Sequence, residues 1–180
     1  SFADQATKTR GNLVLNVYNF GEDYDVCWKN LHAQAAPAVV KGLMTISASN
    51  VTVEGLTLTN PGASYGVYVN PGVAHINFFN NVIKDIGGST FAANVKGIYL
   101  LTGPDDIRIE GNTFQNLQAS GKSVNAVYAG DSNATDPVVG ITIRANLFTA
   151  ISSDTKGGYG VLFNNGAGTQ NALITLNTFD

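Results

Sequence analysis

Charged side chains that could do acid–base chemistry occur together at Arg108, Glu110 and Arg144. Glu110 and Arg144 take the same position in two similar segments, 34 residues apart, and Arg108 lies two residues before Glu110. Such groups can transfer a proton or stabilise charge when they are held beside a substrate. A single carboxylate between two arginines is also an ordinary surface ion pair, worth about 0 to 1 kcal/mol. We expect the ion pair and keep the three residues as catalytic candidates.

A second candidate pair is Asp105-Asp106, which follows Gly103-Pro104. Paired carboxylates are the catalytic groups of most glycoside hydrolases. The equivalent positions in the neighbouring segments hold Ala74-His75 and Val139-Gly140, so no further acid supports the pair. Because Gly-Pro marks a turn, the sequence favours a turn over a catalytic pair.

Three tyrosines, Tyr68, Tyr99 and Tyr128, recur at one position of successive segments. Alternation along a strand predicts that all three rings point outward, and small residues at 66, 97, 126 and 160 would leave them unobstructed. A row of exposed rings suits a sugar or a partner protein. Cover by a loop, or stacking between the rings themselves, would explain the row without a ligand. All of these explanations are retained.

The sequence offers no clear set of metal ligands. His32 and His75 have no second histidine or cysteine at ligand spacing, and Cys27 stands alone. The loop at 130–136 carries several oxygen donors but lacks the regular spacing of a calcium loop. We expect no cofactor, with Ca²⁺ at that loop as the alternative. Asn50 and Asn133 begin sequons, which are glycosylated only if the source organism glycosylates.

Composition and charge exclude several function classes. The net charge is −3 and no segment concentrates Lys and Arg, so nucleic acid is not an expected partner. The sequence has no run of about 18 apolar residues, so no membrane span is expected. Only 13% of the residues are charged and 20 are glycine, a composition common in secreted β-solenoids. We therefore expect an extracellular or cell-surface protein.

One eight-residue phrase repeats along the chain: two alternating apolar residues, then Asn, then a further apolar residue. Its clearest copies are at 107–114 and 141–148. Leu56 takes the place of Asn in the earliest copy, and the later copies carry Asn81, Asn112, Asn146 and Asn177. Successive steps from Leu56 are 25, 31, 34 and 31 residues, so the repeat unit is one coil of a solenoid rather than a whole domain.

Each repeat also contains a second phrase, as at 66–69 and 97–100, and a pair of apolar residues three apart after the Asn. Three short strands per repeat, with Gly, Asn and Pro turns and no helical stretch, predict coils whose parallel strands stack about 4.8 Å apart. The alternating apolar residues then point into the bore. We predict the repeated Asn at a corner, in a left-handed backbone conformation, with its amide bonded to the Asn of the next coil.

The phrases at 107–114 and 141–148 resemble the repeat of right-handed parallel β-helix proteins of the pectin-lyase-like superfamily. The resemblance covers roughly residues 43–180 and concerns the fold, because this superfamily includes lyases, hydrolases, epimerases, tailspikes, adhesins and surface-layer proteins. It implies that a lyase would need an Arg or Lys base and a carboxylate cluster holding calcium. It implies that a hydrolase would add Asp, His and Arg-Ile-Lys motifs on neighbouring coils. The sequence shows neither set.

These patterns predict an all-β chain, a right-handed single-stranded parallel β-helix of four to five coils. The coils occupy residues 43–180, with an incomplete last coil, and residues 1–42 form an N-terminal capping segment. Within that segment, residues 13–20 alternate like a strand and residues 28–40 predict a short helix broken near Pro37. An incomplete coil exposes unpaired strand edges, which more chain or another molecule would cover.

We therefore expect a non-catalytic extracellular module with a structural, adhesive or surface-assembly role, which self-associates through its last coil. Its expected partners are a polysaccharide, a surface protein or further copies of itself. One alternative is a polysaccharide-active enzyme, either a lyase or a tailspike-like depolymerase. The other is a glycan-binding module that uses the tyrosine row.

Overall fold

The computed structural model describes residues 38–164 and 166–180, together with two short strands at Leu13–Leu15 and Val26–Lys29. The described residues form strands, turns and irregular segments, and none of them is helical. Their strands, numbered β1 to β19 in chain order, make three parallel sheets. The chain is a right-handed parallel β-helix of about four turns, so the predicted fold class is confirmed.

Up to β17, each sheet takes every third strand of the chain. Sheet A consists of β1 (Leu13–Leu15), β4 (Met44–Ile46), β7 (Tyr65–Val69), β10 (Val95–Leu100), β13 (Val124–Ala129) and β16 (Gly158–Phe163). Sheet B consists of β2 (Val26–Lys29), β5 (Val51–Glu54), β8 (Ala74–Phe79), β11 (Asp105–Glu110) and β14 (Val138–Arg144), with β17 (Thr169–Gln170) and β18 (Leu173–Thr175) both paired to β14. Sheet C consists of β3 (Val39–Lys41), β6 (Thr57–Pro61), β9 (Val82–Gly87), β12 (Thr113–Ala119), β15 (Leu147–Ser153) and β19 (Thr178–Phe179).

Equivalent residues of successive coils therefore lie in columns. Tyr99 pairs in register with Tyr128, and Ile107 pairs with Ile141. Parallel strands in register point equivalent side chains to the same face, so each column shares one environment.

The residues that the sequence places in the bore form the core. Eleven of them have 0% exposed surface, namely Val67, Val69, Ile76, Phe78, Ile98, Leu100, Ile107, Ile109, Val127, Ile141 and Ile143. Val161 and Phe163, in the last sheet A strand, are partly buried against this core. Aromatic rings also stack along the axis, with Phe148 4.9 Å from both Phe114 and Phe179 between ring centroids. Burial of such side chains is the main stabilising term of the fold.

Sheet C breaks the simple alternation of its strands. Ile83 and Ile86 are both fully buried although they are three residues apart. Asp85 between them has a φ of 52°, and Asn116 and Ala150 adopt the same left-handed conformation in β12 and β15. A left-handed residue turns the strand, so the apolar residues on either side of it both reach the bore.

The repeated asparagines form a hydrogen-bonded ladder between sheets B and C. The Nδ2 groups of Asn81, Asn112 and Asn146 donate to Oδ1 of the next asparagine at 3.0, 3.1 and 3.0 Å. Asn177 ends this series, and Leu56 begins it by donating its backbone N–H to Asn81 Oδ1 at 3.0 Å.

The left-handed conformation lies one residue earlier than the sequence predicts. The residues with positive φ are those just before each ladder position: Gly55, Asn80, Gly111, Ala145 and Leu176. The corner is therefore turned by the preceding residue, which leaves the ladder side chain free to point inward. Asn81, Asn112 and Asn146 are at most 2% exposed, so these amides must find partners inside the protein.

The small residues of sheet A make room inside the coil rather than beside the tyrosines. A Cβ on Gly66 would collide with Ile86, and a Cβ on Gly97 would lie 2.5 Å from O of Ala126 and 3.0 Å from Leu117 Cδ2. Gly97 is followed by the inward Ile98, so the strand bends there and Lys96 and Tyr99 both lie outside. The expectation that these small residues leave the tyrosine rings unobstructed is therefore replaced by a core-packing role.

Part of the segment assigned to an N-terminal cap pairs with the coils. Strands β1, β2 and β3 extend sheets A, B and C by one parallel strand each. Trp28 and Val39, which the sequence places in a short helix, both lie in strands. The other expectations for residues 1–12, 16–25 and 30–37, including His32, fall outside the described residues.

The last described coil exposes several large apolar side chains: Leu173, Ile174, Leu176 and Phe179. Leu176 and Phe179 are 69% and 59% exposed. Across the part of the chain that the structure describes, there is no helical segment capable of spanning a lipid bilayer.

Candidate functional site

A polar depression of about 380 Å³ lies on the outer face of sheet B, where β5, β8 and β11 begin. We call it the polar cup. Its lining residues are Asn50, Thr52, His75, Asn77, Asp106 and Arg108. The volume falls in the range of about 300 to 1,000 Å³ that is usual for small-molecule sites, although the lining is more polar than usual.

The cup is built on a corner that each coil turns in the same way. Asn50, His75 and Asp106 have φ values of 60°, 58° and 48°, and Gly140 follows in the next coil with 66°. The register of Ala74, Asp105 and Val139 makes His75, Asp106 and Gly140 equivalent residues of successive coils. Left-handed non-glycine residues are uncommon and cost energy. Here they bring side chains from neighbouring coils together.

His75 and Asp106 form a hydrogen-bonded pair inside the cup. His75 Nδ1 lies 2.8 Å from Asp106 Oδ2, and Arg108 Nε lies 3.9 Å from Asp106 Oδ1. Because the carboxylate only accepts, Nδ1 carries the proton and Nε2 of a neutral His75 is left as an acceptor. Asp106 thus accepts one hydrogen bond from the imidazole and lies within ion-pair distance of the guanidinium, and all three side chains are about half exposed.

A second hydrogen bond orders the other side of the cup. Asn77 Nδ2 donates to Thr52 Oγ1 at 3.2 Å, between equivalent positions of two coils. This bond leaves the Asn77 carbonyl oxygen available as an acceptor. The cup therefore presents donors and acceptors together in one small space.

The catalytic candidates from the sequence are divided by the structure. Asp106 and Arg108 lie in the cup, whereas Asp105 is exposed and pairs in register with Ala74 and Val139. Glu110 and Arg144 are register neighbours on sheet B, as the sequence predicts. Within residues 38–164 and 166–180 no ion pair of 4.0 Å or less joins them, and the acid beside Arg108 is Asp106.

Sequence reasoning missed four residues of the cup: Asn50, Thr52, His75 and Asn77. The signal was present in the alignment of Ala74-His75 with Asp105-Asp106, which places His75 opposite Asp106. Metal-ligand spacing, which requires a second histidine or cysteine, does not detect a pair between His75 and a carboxylate.

The tyrosine row is packed rather than freely exposed. Tyr68, Tyr99 and Tyr128 stack edge to face, with centroids 5.4 Å apart at both steps and interplanar angles of 85° and 83°. Tyr65 joins them, with its centroid 5.3 Å from that of Tyr99. Tyr99 is 8% exposed, and the other three rings are half-buried. Such ring pairs stabilise by about 0.5 to 1.5 kcal/mol beyond area burial.

Lys96 covers the faces of three of these rings. Its Nζ lies 3.7 Å from the centroid of Tyr99, 4.2 Å from Tyr128 and 5.3 Å from Tyr65. Burial lowers the pKa of Lys96 against the opposing effect of Asp131, and burial together with Asp131 raises the pKa of Tyr99 to about 12. The repeat pattern did not predict Lys96 or Tyr65 as part of this cluster, although each lies three residues before a tyrosine of the row.

The loop at 130–136 is organised by its own hydrogen bonds. Asp131 Oδ1 accepts the Asn133 N–H at 2.8 Å, and O of Asp131 accepts the N–H groups of Ala134 and Gly166 at 2.9 Å. No group of three or more His, Cys, Asp or Glu side chains in the described ranges could hold a metal ion. Of the two sequon asparagines, Asn50 lines the cup and Asn133 is exposed.

No protein-family model and no curated protein matches this sequence. A solved structure from Parabacteroides merdae, described as "a putative glycosyl hydrolase", is similar at 18% identity over 79% of this chain and 78% of that chain, with a TM-score of 0.36. A likeness of this size carries no argument about function. The assignment as a parallel β-helix therefore rests on the strand pairing of this chain.

Proposed function

We propose that this protein is a non-catalytic extracellular β-helix that adheres to carbohydrate, and that the polar cup is its sugar-binding site. The observation that carries the proposal is the carboxylate of Asp106, which is hydrogen-bonded to His75 and 3.9 Å from Arg108 in a depression of about 380 Å³. Sugar hydroxyl groups both donate and accept hydrogen bonds. A site with fixed acceptors and donors side by side suits them.

The charge balance of the cup favours a neutral sugar. Arg108 and Asp106 carry opposite charges, and the other lining side chains are uncharged when His75 is neutral. A carboxylate or sulfate on the ligand would be repelled by Asp106 and by the net charge of −3 on the chain. A cationic group on the ligand would be repelled by Arg108. A neutral polysaccharide avoids both kinds of repulsion.

The tyrosine row supports the proposal less well than the cup does. Lys96 lies over the faces of Tyr65, Tyr99 and Tyr128, which are the surfaces that a sugar ring would stack on. A sugar that stacked there would have to displace the ammonium group. We therefore assign the row to coil-to-coil packing and the cup to ligand binding.

A polysaccharide-active enzyme is the second candidate, and the His75–Asp106 pair favours it. A histidine oriented by a carboxylate at 2.8 Å is the arrangement of a general base. Against this candidate, Asp106 is the one carboxylate of the cup lining, whereas glycosidases use two. The Thr52 hydroxyl oxygen accepts from Asn77, and the hydrogen bond that the described residues give His75 is to Asp106, so no hydroxyl is paired with His75 as a nucleophile.

Binding to immobilised neutral polysaccharides tests the proposal directly. We would use affinity electrophoresis against xylan, β-glucan, galactomannan and amylose, with polygalacturonate and alginate as acidic comparisons. We expect retardation by at least one neutral polymer. Asp106→Ala and Arg108→Ala should each weaken it about tenfold or more, because hydrogen bonds to charged groups contribute about 1.5 to 3 kcal/mol.

Glu110→Ala and Arg144→Ala are the matched controls, since both residues lie on the same sheet face outside the cup. Equal retardation of Asp106→Ala and the unsubstituted chain would remove the cup from consideration. New reducing ends, or ultraviolet absorbance from unsaturated uronates, in the same incubations would instead support the enzyme. His75→Ala should then abolish that signal.

A further inference from the structure

A groove of about 650 Å³ lies on the outer face of sheet C, across strands β3, β6, β9 and β12. We call it the lysine groove. Two rows of side chains line it, each running along the axis of the coils. The first row is Val39, Thr57 and Val82, and the second is Lys41, Thr59, Lys84 and Gln115. The groove is larger than the polar cup and has apolar lining residues, as is usual for small-molecule sites.

Lys41 and Lys84 lie on either side of Thr59. Lys41 pairs in register with Thr59, and Thr59 pairs with Lys84. Adjacent strands are about 4.8 Å apart, so each lysine, with its flexible four-carbon stem, can bring its ammonium group over Thr59. Thr59 is 9% exposed, and its Oγ1 donates a long hydrogen bond of 3.4 Å to O of Asp85. A single anionic group above Thr59 can therefore contact both ammonium groups.

An irregular pairing of β6 with β9 places the carboxylate of the groove lining. The register shifts between Thr59 and Asn60, so Asp85 has no partner in β6 and adopts its left-handed conformation there. Bulges of this kind redirect a side chain and often lie beside functional sites. The Asp85 carboxylate accepts Asn116 Nδ2 at 2.6 Å and lies 3.6 Å from Lys84 Nζ. Asp85 therefore has partners of its own and offsets part of the charge on Lys84.

The groove is positively charged although the protein is acidic. Lys41 and Lys84 carry two positive charges and Asp85 carries one negative charge, whereas the whole chain has a net charge of −3. Lys41 is exposed, and no ion pair of 4.0 Å or less involves it in the described part of the chain. Complementary charge therefore favours a ligand with one negative group.

We propose that the lysine groove binds a small amphiphile with one carboxylate, a free fatty acid of medium length. The carboxylate lies over Thr59 between the two ammonium groups, where each contact is a charge-assisted hydrogen bond. The hydrocarbon chain lies along the row from Val39 to Val82, which are two strand spacings, about 10 Å, apart. Burial of this apolar surface stabilises the complex.

Two other ligand classes fit the groove less well. A sugar ring would find no aromatic side chain among the lining residues to stack on. A peptide strand would find no free backbone groups, because the strands under the groove already pair with one another in sheet C. The lysine groove is independent of the polar cup, which lies on sheet B.

Titration of the full chain with octanoate, followed through the backbone amide NMR signals, tests the proposal. We expect saturable binding, with the largest signal shifts at Lys41, Thr59 and Lys84. Octanol lacks the charge and acetate lacks the hydrocarbon chain. Each should bind about tenfold more weakly than octanoate or worse, because each makes only one of the two kinds of contact.

Lys41→Gln and Lys84→Gln should each weaken octanoate binding about threefold to fivefold, as expected for the loss of one partly exposed ion pair. Lys122→Gln is the matched control, since it removes the same charge from an exposed turn that does not line the groove. Val82→Thr keeps the size and charge of the side chain but makes it more polar. It should also weaken octanoate binding.

Equal affinity for octanoate and octanol, or signal shifts confined to other parts of the chain, would overturn the proposal. An equal loss of affinity in Lys122→Gln would indicate unspecific attraction and would also overturn it. Groove signals that shift with protein concentration in the absence of octanoate would show that a second copy of the chain covers this face instead. Retained octanoate binding in the double variant Lys41→Gln and Lys84→Gln would exclude the lysines as its recognition groups.

Discussion

Asn112 joins three successive coils through one side-chain amide. Its Nδ2 donates to O of Phe78 in the preceding coil at 2.8 Å and to Oδ1 of Asn146 in the following coil at 3.1 Å. Its Oδ1 accepts both the backbone N–H and the Nδ2 of Asn81, at 2.9 and 3.0 Å. Asn112 is 1% exposed, so these hydrogen bonds are made where solvent has little access.

Asn112→Ala should lower the free energy of unfolding by about 3 kcal/mol or more, because it leaves several buried donors and acceptors unpaired at about 1 to 3 kcal/mol each. Urea denaturation followed by circular dichroism measures the change. The control is Asn77→Ala, whose amide makes one hydrogen bond, to Thr52 near the surface. Similar losses in the two variants would contradict a special role for the ladder.

Tyr99 should resist deprotonation until about pH 12. Burial, then Asp131 and the neighbouring tyrosines, raise its pKa to about 12. The pKa of Tyr99 is higher in the folded chain than in the unfolded chain, where it is about 10. The protonated Tyr99 therefore stabilises the fold. This stabilisation is complete below about pH 10 and is lost as the pH rises through about 12. Ultraviolet titration should show a late tyrosine that is missing in Tyr99→Phe. A titration curve identical in the two proteins would refute the assignment.

Asp154 should titrate below the usual aspartate range. Its carboxylate accepts the Gly121 N–H and the Ser120 hydroxyl, and these bonds lower its pKa. The sign follows from the lowered folded pKa: the stabilisation of this turn is present above about pH 4 and is lost as the pH falls through the folded pKa. NMR titration of the carboxyl carbon and hydrogen exchange at the Gly121 amide measure both effects. Asp154→Asn should speed exchange at pH 7, and an unchanged rate would count against the bond.

Self-association is a separate prediction, based on the large apolar side chains exposed on the last described coil. We expect the chain to form dimers or higher species at high concentration, with Leu176→Lys shifting the equilibrium to monomer. Size-exclusion chromatography with light scattering measures the mass. Leu147→Lys, at an exposed apolar residue on the side of sheet C, is the control. A chain that stays monomeric at every concentration would contradict the prediction.

The columns of this fold could be predicted because the period of the sequence fixes them. Alternation along the strands places Ile107, Ile109 and Ile143 in the bore, and all three are fully buried. The equivalence of Glu110 and Arg144 followed from the same repeat. Stacking in register copies one pattern from coil to coil, so a single correct alignment gives every column.

The contacts within the candidate sites could not be predicted in the same way. His75 contacts Asp106 because both residues have a left-handed backbone conformation at the corner of their coils. Alternation along a strand does not predict the direction of side chains at such a corner. Lys96 meets Tyr99 because the strand bends at Gly97 and keeps two residues three apart on one side. Both sites therefore arise where the regular period of the strands is interrupted.

The asparagine ladder gives the whole stack a direction. The bonds between ladder side chains all run one way, because Nδ2 of Asn81, Asn112 and Asn146 each donates to Oδ1 of the asparagine in the next coil. A coil that joined in the reverse orientation would set donor against donor at this column. A further coil, from more chain or from another molecule, can therefore continue the ladder in one orientation. A junction with two-fold symmetry would lack these asparagine hydrogen bonds.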